Sequence, residues 1–136
     1  MELPYRRSLG PVVGAFLTGL RDQRLLASRT AAGRVICPPL EYDPDSGDAV
    51  SDLVEVADRG VVTGWSWVAE PLAKHPFDHP FAWALVQLDG ADTSLVHALH
   101  VPAMSDASTG MRVQVRWAAD RTGHITDIAC FEPEAS

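Results

Sequence analysis

The sequence predicts a mainly β protein: a small closed barrel of five strands that carries an N-terminal helix and a short hairpin. Three observations point there. A strand-forming run from Asp58 to Val68 sits near the middle of the chain, an almost continuously apolar segment covers Phe81 to Leu88, and Met111, Val113, Val115 and Trp117 alternate with Arg112, Gln114 and Arg116. Period two in the first run puts Val61, Thr63, Trp65 and Trp67 on one face, with Val62, Gly64, Ser66 and Val68 on the other. Gly64, which has no Cβ, offers the bend that the opening strand of a small barrel needs. The apolar segment reads as a strand covered on both sides, and the alternating one as a strand buried on one side.

The elements follow in order. Met1 to Arg7, with Pro4, Tyr5, Arg6 and Arg7, form an extended lead suited to lying on a neighbour. Ser8 and Pro11 are start signals for a helix whose apolar stripe is Val12, Val13, Phe16, Leu17 and Leu20, with Arg21 and Arg24 at its C-terminal end. One helix of about three turns cannot hide that stripe alone, so it packs on the barrel or on a partner. Leu25–Ser28 and Arg34–Cys37 are short strands around the turn Ala31-Ala32-Gly33. Pro38-Pro39 stops their pairing, and the acidic segment Glu41–Asp48 reads as a surface loop. The N-terminal part, residues 1–48, ends there, and residues 49–136 hold the barrel.

Within that second part, Leu53–Ala57 precedes the central strand. Glu70–Pro80 is barred from helix by Pro71, Pro76 and Pro80 and makes a long, stiff excursion. Asp89-Gly90 turns the apolar strand into Thr93–His100, and a last strand runs from Gly123 through Phe131. Five long strands joined by turns and one longer excursion fit an oligonucleotide/oligosaccharide-binding (OB) barrel, although chain order alone also permits a small sandwich.

With 136 residues, 46% of them apolar, the chain is sized for one core. Eleven basic against eighteen acidic side chains give a net charge of −7, which disfavours nucleic acid as a partner. Cys37 and Cys130 do not resemble a secreted disulfide framework. With no signal-peptide pattern and no apolar run near the ~20 residues needed to span a bilayer, a cytoplasmic location away from membranes is expected.

The residues supply no complete catalytic constellation. His75 and His79 are four apart, but the adjacent prolines deny them a shared helix face. His97 and His100 lie an odd number apart in a strand and point to opposite faces. A hydrolase or metalloenzyme built on His79, His97 or His100 is the enzymatic alternative. Cys37 reads as a buried structural thiol, and the Asp43/Asp45 pair as solvated loop carboxylates. No nucleophile elbow, phosphate loop or dinucleotide fingerprint occurs. Trp65 and Trp67 either fill the barrel or form an aromatic ledge for a partner or a flat ligand.

Several pieces together resemble a known family. They are the Gly19-Leu20 helix end, Gly33-Arg34-Val35 followed by Pro38-Pro39, Gly60-Val61-Val62, Pro80 through Gly90, and Gly110-Met111-Arg112-Val113. In order and spacing these are similar to the domain of unknown function thirty-five family, OB-fold proteins with an N-terminal helix and a rubredoxin-like zinc ribbon, associated with thiolases and acyl-CoA metabolism. The family's two Cys-x-x-Cys pairs are missing. Asp43 and Ser46 stand where the second pair would be, Arg29–Ala32 holds no thiol, and Cys37 alone cannot build a tetrahedral site. The resemblance therefore implies a degenerate zinc-ribbon hairpin without a metal or other cofactor, held by packing, turns or a partner.

The resemblance further implies an accessory, non-catalytic subunit of a thiolase-like retro-aldolase or thiolase acting on acyl-CoA thioesters, in steroid side-chain degradation. The alternatives are an acyl-CoA or sterol-thioester binding module, or a partner of a MaoC-like enoyl-CoA hydratase. The contact residues expected are Tyr5, Arg6, Arg7, Trp65, Trp67, His79 and Phe81, with no catalytic residue.

Overall fold

The computed structural model describes residues 11–44, 46–50, 52–72 and 77–134. One helix, α1 (Pro11–Arg21), leads into β1 (Leu25–Arg29), β2 (Val35–Ile36) and β3 (Leu53–Val56). The barrel strands follow: β4 (Arg59–Val68), β5 (Phe81–Leu88), β6 (Leu95–Leu99), β7 (Arg112–Trp117) and β8 (Ile128–Pro133). Among the described residues, no helix is long and apolar enough to cross a membrane.

The helix is fastened at both ends. Pro11 opens it where no N–H is needed, and the next two amides, of Val12 and Val13, donate to the Glu41 carboxylate at 3.3 and 2.7 Å. A side chain of the acidic loop thus satisfies the free donors of the first turn and meets the positive end of the helix dipole. At the other end Gln23 adopts a left-handed φ of 60°. Arg24 N–H reaches back to the Gly19 carbonyl at 2.9 Å and Gln23 N–H to the Leu20 carbonyl at 3.0 Å, closing a Schellman motif. Val12, Phe16 and Leu20 are buried, and the helix packs on β1 and on the short 3-10 turn at 125–127.

Strands β2, β1 and β3 form a three-stranded sheet in that order. The segment Leu53–Ala57, expected on the barrel side of residue 48, supplies β3, and β3 pairs with β1 from Leu25↔Val56 to Ser28↔Leu53. This sheet is tied to the barrel through the β5–β6 loop. Val35 N–H donates to the Asp92 carboxylate at 2.8 Å, Asp92 N–H returns to the Val35 carbonyl at 2.7 Å, and the Thr93 hydroxyl bridges the Cys37 amide and carbonyl at 3.0 and 3.1 Å. Buried side chains of α1, the sheet and the barrel, among them Phe16, Leu20, Cys37, Val86 and Phe131, belong to one continuous core.

The barrel is closed in the order β4-β5-β6-β8-β7, antiparallel throughout except for the parallel contact of β6 with β8 at Leu99↔Phe131. This is the five-stranded OB arrangement expected. Closure is tightest at Gly60, which is paired to Leu88 on one side and Val113 on the other. A Cβ there would collide with the Gln87 carbonyl, so glycine is required by the close approach of β5 rather than by φ.

The face assignment of β4 departs from strict alternation. A bulge between Val62 and Gly64 leaves Thr63 without a partner across the ladder. Beyond it, Trp65 and Trp67 lie opposite Ala84 and Ala82, residues buried in the barrel interior. The two tryptophans therefore share the inner face with Val62, and Gly64, Ser66 and Val68 point outward. Thr63 bonds its hydroxyl to the Leu85 carbonyl at 3.3 Å and lies 2.9 Å from that of Ser94.

Candidate functional site

The turns of the N-terminal sheet and of the acidic loop face one another across a cleft of about 240 Å³ lined by Arg29, Thr30, Asp43, Ser46, Asp48 and Asp52. The loop closes on itself: Asp43 N–H donates to Asp48 at 2.8 Å, Gly47 N–H to Asp43 at 2.8 Å, and Asp48 N–H to the Ser46 hydroxyl at 3.2 Å. Across the mouth, Arg29 Nε meets Asp52 at 2.7 Å. A guanidinium, a hydroxyl and carboxylates do not fit the thiolate set of a ribbon zinc. Among the described residues, no three His, Cys, Asp or Glu side chains are grouped as metal ligands. Cys37 sits beneath, its thiol 3.7 Å from the Leu26 carbonyl and pushed by burial up to about 12, which makes it a poor nucleophile at neutral pH.

A second cluster lies on the outer surface of the barrel. Phe77 stacks on His79 with centroids 4.8 Å apart, and the His100 ring stands 5.2 Å from His79 and 5.7 Å from Phe77. Beneath them Phe81, Ala98 and Cys130 form a separate apolar cluster, fully enclosed. Burial, then the neighbouring Arg116 and His79, lower the pKa of His100 against the opposing pull of Glu132. Its Nδ1 is buried and has no protein partner. His97 points the other way. Its Nδ1 accepts the Ala98 N–H at 2.9 Å, and burial lowers its pKa. The histidines thus meet as His79 with His100, and burial favours the neutral form of the His100 ring.

Two outer faces of the barrel differ in chemistry. On β7 and β8, Arg112 engages Asp89 through two bonds of 2.9 and 2.6 Å and Glu134 at 3.2 Å, Arg59 also reaches Glu134 at 3.2 Å, and Arg116 meets Glu132 at 2.7 Å. On the stretch of β4, β5 and β6 beyond the bulge, the outward positions Gly64, Ser66, Trp83, Leu85 and Val96 carry no charge. Leu85 is 42% exposed and Val96 61%. With Trp83 they wall a shallow hollow of about 300 Å³ over Gly64 and Ser66.

Of the contact residues expected from the sequence, Tyr5, Arg6 and Arg7 lie outside the described residues. Trp65 and Trp67 are half-buried and pack against the core, and Trp65 also lines the hollow over Gly64 and Ser66. Phe81 has no exposed surface and supports the ring cluster from below, which removes it as a contact in the free chain. His79 is exposed. Trp83, Leu85 and Val96 were not among the expected contacts. The signal for Trp83 and Leu85 lay in the unbroken apolar run of β5, whose implied covering is present over Phe81 and absent over Leu85; Val96, on β6, is brought beside them by its pairing with Leu85.

Residues 53–118 match the family described as ChsH2, C-terminal OB-fold domain. No curated protein matches the chain. Among solved structures, a chain of the "Ltp2-ChsH2(DUF35) aldolase" aligns with a TM-score of 0.69 and 26% identity, covering 93% of this chain and 97% of that one. A DUF35-family protein of unknown function from Sulfolobus solfataricus aligns with a TM-score of 0.71 over 96% of this chain and 88% of its own, at 15% identity, a likeness of fold alone. The segment from β3 through β7 thus matches the ChsH2 C-terminal OB-fold family, and the likeness to the DUF35 subunit of the aldolase runs on through the helix and the N-terminal sheet.

Proposed function

We propose that the chain is the accessory, non-catalytic subunit of a thiolase-like aldolase that cleaves acyl-CoA thioesters, with the side chain of a steroid as the substrate class. The observation that carries this reading is the likeness to a chain of the Ltp2-ChsH2(DUF35) aldolase over 97% of that chain's length. The interior of the barrel supports it. The site of an independent enzyme would need a nucleophile or acid–base pair in a pocket, yet the two cysteines are buried. The largest of the clefts described, about 340 Å³ beside Phe77 and Ile128, has His97 as its only titratable lining group.

The test is co-expression with the thiolase-like subunit of the same source, followed by retro-aldol assays on β-hydroxyacyl-CoA thioesters. A stable hetero-complex whose cleavage activity needs both chains is expected, with a steroid side-chain thioester preferred over a short straight-chain one. Two inert proteins that never associate would overturn the reading. Association with a MaoC-like hydratase in place of the aldolase would redirect it. Titration of the isolated chain with CoA thioesters should leave tryptophan fluorescence unchanged, because the accessory reading gives the isolated chain no thioester site of its own.

A further inference from the structure

The outer face of β5 and β6 is one apolar surface treated in two ways. At one end the chain covers it: Phe81 and Ala98 lie under Phe77, His79 and His100 and have no exposed area. At the other end the same face continues past Trp83, half-buried and edge-on to Phe81, to Leu85 and Val96, which stand 42% and 61% exposed. Leucine and valine exposed together over a glycine floor are not what a strand facing water carries, since outward positions of a solvated sheet are polar. From this contrast we infer that the uncovered end, the hollow between Trp83 and Leu85 with Val96 beside it, is where the aldolase subunit docks. The inference rests on the accessory-subunit reading above.

The surface has the make-up of the centre of a protein interface: an aromatic and two aliphatic side chains, no charge, and hydroxyls at the margin from Thr63, Ser66 and Ser94. A side chain from the partner, aliphatic or aromatic, fills the space over Gly64 and Ser66. A second copy of this chain is the less suitable occupant. Each copy carries a net charge of −7, and joining two accumulates like charge around a contact that holds no countercharge of its own. Three large side chains also fall short of the roughly 800 Å² that each partner of a stable pair removes from water. They form the core of a wider contact that a larger subunit completes.

The experiment compares wild type with Val96→Arg, Leu85→Arg and, on the opposite face, Arg116→Gln, measuring affinity for the purified thiolase-like subunit and the melting temperature of each isolated chain. Val96 is exposed enough that its replacement leaves the fold intact, which covers the case where Leu85→Arg fails to fold. Val96→Arg should weaken binding by at least about 30-fold, the loss expected at an interface centre, with an unchanged melting temperature, and Arg116→Gln should stay within about threefold. Wild-type binding that both face variants match would overturn this docking surface and leave the accessory role standing. Failure of wild type to bind the subunit at all would overturn the accessory role and the surface with it. If wild type self-associates in sedimentation and Val96→Arg is monomeric, the occupant is a second copy and the assignment to the aldolase is wrong.

Discussion

On the β7–β8 side of the barrel, outward arginines meet carboxylates: Arg112 with Asp89 and Glu134, Arg59 with Glu134, Arg116 with Glu132. On the β4–β5–β6 side the outward positions from Gly64 to Val96 carry no charge, and two aliphatic side chains stand in water. Both faces belong to the same small closed sheet, so barrel geometry does not impose the difference. A network of exposed ion pairs contributes little to stability. It keeps that face hydrated, and through its unpaired water-facing lone pairs and N–H groups it discourages contact with an apolar surface. The opposite face lacks any such protection. The contrast separates a surface suited to solvent from one suited to another protein.

The change that would break the comparison outright is Gly60→Ala, because both faces exist only while β4 joins β5 on one side and β7 on the other. The new Cβ would meet the β5 backbone at Gln87, and backbone cannot move aside as a side chain can. A loss of about 3 kcal/mol or more is expected, at the severe end for a single substitution, visible as a collapsed melting transition. A near-normal melt would mean that the seam is looser than the geometry indicates.

Next in size is Asp127, buried at the end of the 3-10 turn where α1 meets the barrel. Burial opposes its ionisation, but the backbone N–H groups of Thr122, Gly123 and His124, at 3.0, 2.8 and 3.3 Å, outweigh that and hold its pKa below the usual carboxylate range. Asp127→Ala should cost about 1–3 kcal/mol by leaving buried donors unpaired. A group with a depressed pKa contributes stability that is present above its unfolded pKa and lost as pH falls through the folded one. Wild type should therefore lose stability in acid more steeply than the variant does. This anchor lies on neither outer face, and denaturant titrations of the variant set the scale against which the faces are judged.

Much of the architecture was legible because local pattern and tertiary environment agree. The helix stripe at Phe16 and Leu20, the alternation of Val113 and Val115 with Arg112 and Arg116, and the turn at Gly90 with its φ of 98° all appear where the residues demand them. Period two failed at Thr63 because a bulge depends on how strands must coil to close a barrel, which neighbours across the sheet decide. It put Trp65 and Trp67 on the inner-facing side, half-buried against the core, and Gly64 and Ser66 on the outer one, a placement that their spacing alone had left open. Glu41, read as one acid of a solvated loop, caps a helix 28 residues before it in sequence, a role no local pattern encodes. The contact face was written in the sequence as the run Phe81–Leu88, but the run cannot say which of its outward residues the chain covers itself.

The ring cluster that does the covering gives a smaller effect. Burial, with Arg116 and His79 nearby, lowers the pKa of His100, and burial also lowers that of His97. The unfolded chain thus takes up protons first as the pH drops. The stability these groups contribute is full above the ordinary histidine range and declines as pH falls through it. NMR titration should place both midpoints below those of exposed histidines, and His100→Phe should flatten the stability slope between pH 7 and 5.5. An ordinary midpoint for His100 would mean that Phe77 and His79 do not shield that end of the β5–β6 face, and the division of the face into a covered and an open half would lose its basis.

The smallest expected effects are the most direct comparison of the two faces. In the isolated chain Arg112→Gln removes both bonds to Asp89 and the one to Glu134, yet Arg112 and Asp89 are exposed and Glu134 is only half-buried, so the melting temperature should fall slightly and the difference should shrink in 1 M salt, where a Debye length of about 3 Å screens the pairs. Val96→Arg should leave the isolated chain unchanged at any salt concentration, since a side chain 61% exposed has little packing to lose. Adding the partner subunit should reverse the order: Arg112→Gln becomes silent and Val96→Arg becomes disruptive. The reversal is diagnostic because ion pairs on a solvated face act only on the folded monomer, whereas an apolar side chain left in water acts only when something arrives to cover it. If Arg112→Gln proved the more damaging to the complex, the charged face would be the contact surface and the assignment of the two faces would be inverted.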